Sequence, residues 1–104
     1  MKKRVVITGM GVVHSLGMDI DTFWSSVKEG NNGISTVTKF DTTDFSTKVA
    51  AQINDFDPSA YIDKKDAKRM DLFSQYAIVA AQQAIDMAGL DAAKMDPYRA
   101  GVLI

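Results

Sequence analysis

The sequence predicts an α/β chain, and three observations predict it. A β-branched apolar run opens the chain, two helical patterns of different character follow, and an aliphatic run, Val102-Leu103-Ile104, comes last. The order strand, helix, short strand, long helix, strand points to an α/β fold with a parallel or mixed sheet. The 104 residues suffice for one small domain by length alone.

Taken in order, Arg4 to Met10 reads as a buried strand, because Val5, Val6, Ile7 and Thr8 precede the breakers Gly9 and Gly11. Val12 to Gly17 is a loop with two apolar anchors. Asp19 or Asp21 then offers an N-cap to a helix whose apolar positions Ile20, Phe23, Trp24 and Val27 recur at helical spacing. That helix stops at Gly30 and packs one face inward, with Trp24 expected in the core. Asn31-Asn32-Gly33 forms a turn, and Ser35 to Thr47 carries no helical period. Lys48 to Ile53 fits a short strand, and Asp57-Pro58 marks a further helix start with proline at the first helical position.

The strongest helix spans about Asp71 to Ala88 and ends at Gly89, with Leu90 placed for the accompanying apolar contact. Apolar residues wrap most of its circumference and leave only Gln75, Gln82, Gln83 and Asp86 as a thin polar stripe. Such a helix is expected to be covered on several sides in its native setting. A polar connection through Asp96-Pro97-Tyr98-Arg99 leads to the final strand-forming residues Ala100 to Ile104. One amphipathic helix and one nearly all-round apolar helix need more partner surface than these few strands provide. A strand of three aliphatics at the end would also be an unpaired, sticky edge. The expectation is therefore an incomplete domain, 1–104 being the opening of something longer, and poorly folded or aggregated when alone.

Composition excludes several classes of function. Hydrophobic residues at 46% and charged residues at 24% are ordinary for a globular chain, and no apolar run approaches a membrane span. The basic N-terminus, Lys2-Lys3-Arg4, precedes an apolar run too short and too soon broken for a signal peptide, so the cytoplasm is expected. Zero cysteines exclude disulfides, thiolate metal sites and a cysteine nucleophile within these residues. The serines Ser15, Ser25 and Ser74 have no base partner at any recognisable spacing. No cofactor or metal is implied.

Individual motifs have bland and sharp readings. Gly9-Met10-Gly11 invites a dinucleotide fingerprint, but His14 stands where the third glycine belongs and the helix starts too late, so a tight strand exit is favoured. The single histidine, His14, is favoured as a structural or surface loop residue. Methionines are scattered like gap fillers. With a net charge of −1 the chain is not built to attract nucleic acid.

The distribution of charge is uneven. Asp19 to Asp63 holds eight acidic and three basic residues, and then Lys64, Lys65, Lys68 and Arg69 bring four cations within six positions. If helical, Lys64 and Lys68 share a face, as do Lys65 and Arg69. Such a cluster attracts an acidic or phosphorylated partner. On the residues alone, a solvated helix end partly neutralised by Asp63 and Asp66 is favoured over that reading.

Taken together, the segments resemble the start of a β-ketoacyl-acyl-carrier-protein synthase of the synthase II type, a condensing enzyme of type II fatty acid synthesis. The matching pieces are Arg4 to Val13, Phe23-Trp24, Gly33-Ile34-Ser35, Phe40-Asp41, Asp55 to Pro58, Arg69-Met70-Asp71, Phe73, Gln75-Tyr76-Ala77, Ala88-Gly89-Leu90 and Arg99 to Val102. They arrive in the family's order and cover essentially the whole chain. One departure is Val13-His14-Ser15-Leu16-Gly17, where the family usually has Ser-Pro before the glycine.

The resemblance implies a thiolase-like fold with α-β-α-β-α layers, of which residues 1–104 supply the N-terminal part of the first half. It implies a homodimeric enzyme whose cysteine takes an acyl group from acyl carrier protein and whose two histidines assist decarboxylation of the malonyl-loaded carrier and condensation. All three lie outside these residues, so no catalytic residue is expected here. It also implies that Lys65, Lys68 and Arg69, with Lys64 beside them, dock the acidic helix of acyl carrier protein, which reverses the preference for a merely solvated cluster. The alternatives are a carrier-binding or interaction module without catalysis, and a related polyketide ketosynthase or chain-length factor.

Overall fold

In a computed structural model describing residues 1–104, two capped helices and one helical turn are joined to a two-stranded antiparallel ladder by extended segments. Helix α1 covers Ile20–Glu29. Asp19 caps it, its carboxylate accepting from the Thr22 amide at 2.8 Å and the Thr22 hydroxyl at 2.9 Å. This arrangement satisfies one of the orphan amides of the first turn. The same two bonds hold the Asp19 carboxyl below the usual carboxylate range, the amide bond contributing most. Gly30 closes the helix in the left-handed conformation, at φ 73, which a side chain resists.

Strands β1 (Ser35–Thr36) and β2 (Val49–Ala50) pair antiparallel, with Ser35 opposite Ala50 and Thr36 opposite Val49. Gln52 extends the ladder with its side chain, accepting from the Thr38 amide at 3.0 Å and donating to the Thr36 carbonyl at 3.1 Å. The loop between the strands is closed by the Lys48 ammonium, which donates to the carbonyls of Thr42 and Thr43, and by the edge-to-face pair of Phe40 and Phe45. Helix α2 is a single turn, Lys64–Ala67, and α3 runs from Leu72 to Ala88 between Asp71 and Gly89. A 3-10 turn at Pro97–Arg99 follows.

Both long helices and the β2 strand lie where the sequence predicts them. Five other expectations do not hold. Residues 4–10 join no ladder, and Val5, Val6 and Ile7 are exposed. Residues 100–104 likewise join no ladder and are exposed. A strand is stabilised by its neighbour, and the one sheet present is antiparallel rather than parallel or mixed. Asp57-Pro58 begins only one turn, in which the Tyr61 and Ile62 amides reach the Pro58 carbonyl. Trp24 is half exposed, because nothing here packs over its side of α1.

The buried interior is small. Ile62, Val79 and Gln75 are the only buried residues. The surface is 8788 Å² where a compact chain of this mass exposes about 5,800 Å². The radius of gyration is 17.3 Å against about 13 Å for a compact domain of this length. What cohesion exists centres on one face of α3, against which the N-terminal segment and the turns around Phe56 and α2 are laid.

Candidate functional site

The four clustered cations sit on a short, well-tied turn. Asp63 is the N-cap of α2, its carboxylate accepting from the Lys65 amide at 3.3 Å. The turn closes through Lys68 amide to Lys64 carbonyl, Arg69 amide to Asp66 carbonyl and Met70 amide to Ala67 carbonyl. Its far end is then fastened to α3. The Gln75 amide donates to the Ala67 carbonyl at 2.9 Å and to the Met70 carbonyl at 3.1 Å. Gln75 is buried, so these bonds form away from competing water. Carbonyls at a helix end that face no amide of their own helix are thereby satisfied.

Lys64, Lys65, Lys68 and Arg69 are all exposed. None of them pairs with a carboxylate, the single ion pair of the structure being Lys94 with Asp91 at 3.4 Å. Asp63 and Asp66 therefore leave the cluster's charge unneutralised by contact. The structure also divides the cluster. Lys64 and Lys68 line a cleft of about 520 Å³ together with Asp57, Pro58, Ile62, Ala67 and Gln75, whereas Lys65 and Arg69 lie outside it. The Lys64 and Lys68 pairing follows the spacing expected of one helical face. At the cleft edge the Asp57 carboxylate accepts from the Ser59 amide at 2.9 Å, and that bond first, then the Ser59 hydroxyl, holds its carboxyl below the usual range. The turn therefore presents an uncompensated basic surface beside a partly apolar recess.

The other residues singled out by the sequence are structural. His14 closes a tight loop: its Nδ1 accepts from the Leu16 amide at 3.1 Å, and its ring meets Phe23 edge to face at 5.1 Å. Gly9 and Gly11 allow the N-terminal segment to lie directly on α3. A Cβ at Gly9 would run into the Ala84 carbonyl, and one at Gly11 into the Ala80 carbonyl. The space a nucleotide would need at this turn is filled by the helix. No group of three or more His, Cys, Asp or Glu side chains converges. No helix is long and apolar enough to cross a membrane.

Sequence patterning gave no role to Gln75 and Gln83. Gln83 accepts from the Val12 amide at 3.1 Å and donates to the Met18 carbonyl at 2.6 Å, pinning both ends of the His14 loop. Half of the polar stripe of α3 thus faces inward, Gln75 and Gln83 standing one turn either side of Val79, whereas Gln82 and Asp86 bond each other at the exposed edge. The available signal was that spacing: two glutamines bracketing a valine at i and i+4 on a helix otherwise rich in exposed-looking apolar residues.

Residues 2–104 match the model of the β-ketoacyl synthase N-terminal domain. The chain belongs to the β-ketoacyl synthase family. It is 45% identical over 103 residues to 3-oxoacyl-[acyl-carrier-protein] synthase 2 of Vibrio harveyi, covering 99% of this chain and 25% of that protein. Against the protein of the same name from Staphylococcus aureus strain COL the identity is 46% over 102 residues, with 98% and 25% covered. This β-ketoacyl synthase chain therefore spans about a quarter of the length of the curated relatives it matches.

Solved ketosynthases share the fold. The ishigamide ketosynthase/chain length factor superposes with a TM-score of 0.75 at 33% identity, over 86% of this chain and 22% of that one. A type II polyketide synthase ketosynthase, bound to the hexaketide and in complex with its acyl-carrier protein, gives 0.69 at 32% identity, over 94% and 24%. The β-ketoacyl synthase chain is thus an α/β, thiolase-like element with the arrangement found in the N-terminal part of ketosynthases.

Proposed function

We propose that these residues are the N-terminal part of a 3-oxoacyl-acyl-carrier-protein synthase of the synthase II type, and that they carry a docking surface for acyl carrier protein. In the proposed reaction a cysteine outside residues 1–104 holds the growing acyl group as a thioester. Malonyl-acyl-carrier-protein loses carbon dioxide, the resulting carbanion attacks the acyl carbonyl, and the cysteine thiolate leaves. The product is a 3-oxoacyl-acyl-carrier-protein two carbons longer. These residues hold no cysteine, and no residue of theirs is assigned a chemical step.

The observation that carries the docking assignment is the unpaired basic turn. Lys64, Lys65, Lys68 and Arg69 are exposed on a rigidly tied turn with no carboxylate in contact, in a chain of net charge −1. Cations so placed speed encounter with an acidic partner and lose that advantage as salt rises. A solved ketosynthase relative is in complex with an acyl-carrier protein, which supports a partner of that class. The test is carrier binding by the complete protein carrying Lys65→Glu and Arg69→Glu. Affinity at low salt should fall about tenfold, with the difference shrinking at high salt. Wild-type affinity at low salt would reject the assignment.

A second reading is a polyketide ketosynthase or chain-length factor, favoured by the fold match to the ishigamide protein. Two observations discriminate the readings: a glutamine in place of the catalytic cysteine marks the chain-length factor, and where alkylation by iodoacetamide abolishes condensation, the product, a fatty 3-oxoacyl thioester or a polyketide chain, separates the synthase from the polyketide ketosynthase. A homodimeric, cytoplasmic enzyme is part of the first reading.

A further inference from the structure

Gln75 is the only buried polar residue of the structure, and it spends both of its side-chain N–H donors on the turn that carries the cations. It stands on α3, eight residues beyond Ala67 and five beyond Met70, so the two bonds bridge the end of one helix to the start of the next. Lys68 and Arg69 lie between the two carbonyls it holds. Without those bonds, residues 68–70 would be restrained by their own amides' backbone bonds at 3.4 Å, 2.9 Å and 3.2 Å along a four-residue helix. A helix that short has no stability of its own.

We propose that Gln75 is a positioning residue for carrier docking: it latches the basic turn to α3 and so fixes where Lys68 and Arg69 are presented. The inference rests on the docking role proposed for that turn. It adds that affinity depends on a neutral, buried amide that touches no partner. The physical basis is the cost of ordering. A loose turn must be immobilised on binding, whereas a latched one has already lost that freedom.

The experiment is a double-mutant cycle in the complete protein, read by acyl carrier protein affinity at low salt and by amide exchange of residues 68–70. Gln75→Met keeps the length and burial of the side chain and removes both donors. It should weaken carrier binding about 3- to 10-fold, the worth of a lost buried hydrogen bond, and speed exchange at the Met70 amide. In combination with Lys68→Gln and Arg69→Gln the two losses should be less than additive, because Gln75 acts through those side chains. Gln83→Met is the control. It breaks the same kind of bonds from the same helix, to Val12 and Met18, and should leave carrier affinity unchanged.

Should Gln75→Met prove too unstable, Gln75→Leu likewise removes both donors without burying a charge, and the same loss of affinity is expected. Wild-type affinity in a folded Gln75 variant, full additivity with the charge variants, or an equal loss in Gln83→Met would each overturn the inference. Failure of the docking role itself shows separately, as wild-type affinity in the protein carrying Lys65→Glu and Arg69→Glu, while the exchange measurement still reports whether the latch holds the turn.

Discussion

The two sides of α3 reverse the usual distribution of polar and apolar residues. On the inner side Gln75 and Val79 are buried, and Gln83 reaches the Val12 amide and the Met18 carbonyl. On the outer side Ile78 and Ile85 stand exposed. The inner side receives irregular backbone, whose amides and carbonyls must be paired once water is displaced. Glutamine supplies donors and an acceptor at the right reach, and the alanines at 80 and 84 let Gly9 and Gly11 come close. The outer side has no such segment against it, and its apolar residues stand open. Burial in this chain follows hydrogen-bonding need on one side of α3 and is missing on the other.

That contrast can be broken at graded cost. The largest effect is expected from Gly11→Ala in the complete protein. The new methyl collides with the Ala80 carbonyl, and the variant should lose about 3 kcal/mol of stability. A denaturation midpoint within error of wild type would show that the N-terminal segment does not lie on α3. Next is Gln83→Leu, which strands a backbone amide and a carbonyl and should cost about 2 kcal/mol. Asp19→Ala removes only an N-cap on exposed α1 and should cost about 1 kcal/mol.

The Asp19 cap also has a pH signature. Its folded-state carboxyl is held down by Thr22, so the cap contributes fully above the unfolded carboxylate range and fades as pH falls through the lower folded value. The gap between wild type and Asp19→Ala should therefore be constant above about pH 5 and narrow below about pH 4. A gap unchanged at pH 3 would mean that the cap bonds do not form. The smallest effect belongs to Gln82→Ala, which removes an exposed bond to Asp86 at 2.8 Å and should cost about 0.3 kcal/mol in thermal melting.

What the sequence made legible follows the same divide. Local signals worked: Asp19 and Gly30 bound α1, Asp71 and Gly89 bound α3, and a count of charges found the basic turn. His14 and the Gly9-Gly11 pair took the structural roles favoured for them. Signals that need a partner failed. Val5 to Ile7 and Val102 to Ile104 have strand composition, yet a strand is formed by its neighbour, and none lies beside them. Trp24 sits on the apolar stripe of α1 and is half exposed for the same reason. The α3 glutamines stand in the sequence as a thin polar stripe, and polarity alone does not say whether a side chain bonds water or a buried backbone. The latch from Gln75 to the basic turn was hidden in the same way.

The proposed placement of these residues in a longer synthase requires that further surface cover the outer side of α3. Amide exchange along α3 tests it most directly, comparing the complete protein with residues 1–104 prepared alone. Strong protection from Val79 to Ala88 in the complete protein, with protection lost and NMR dispersion poor in the short chain, is the predicted result. A monomeric short chain with a well-dispersed spectrum and equally protected α3 amides would contradict it.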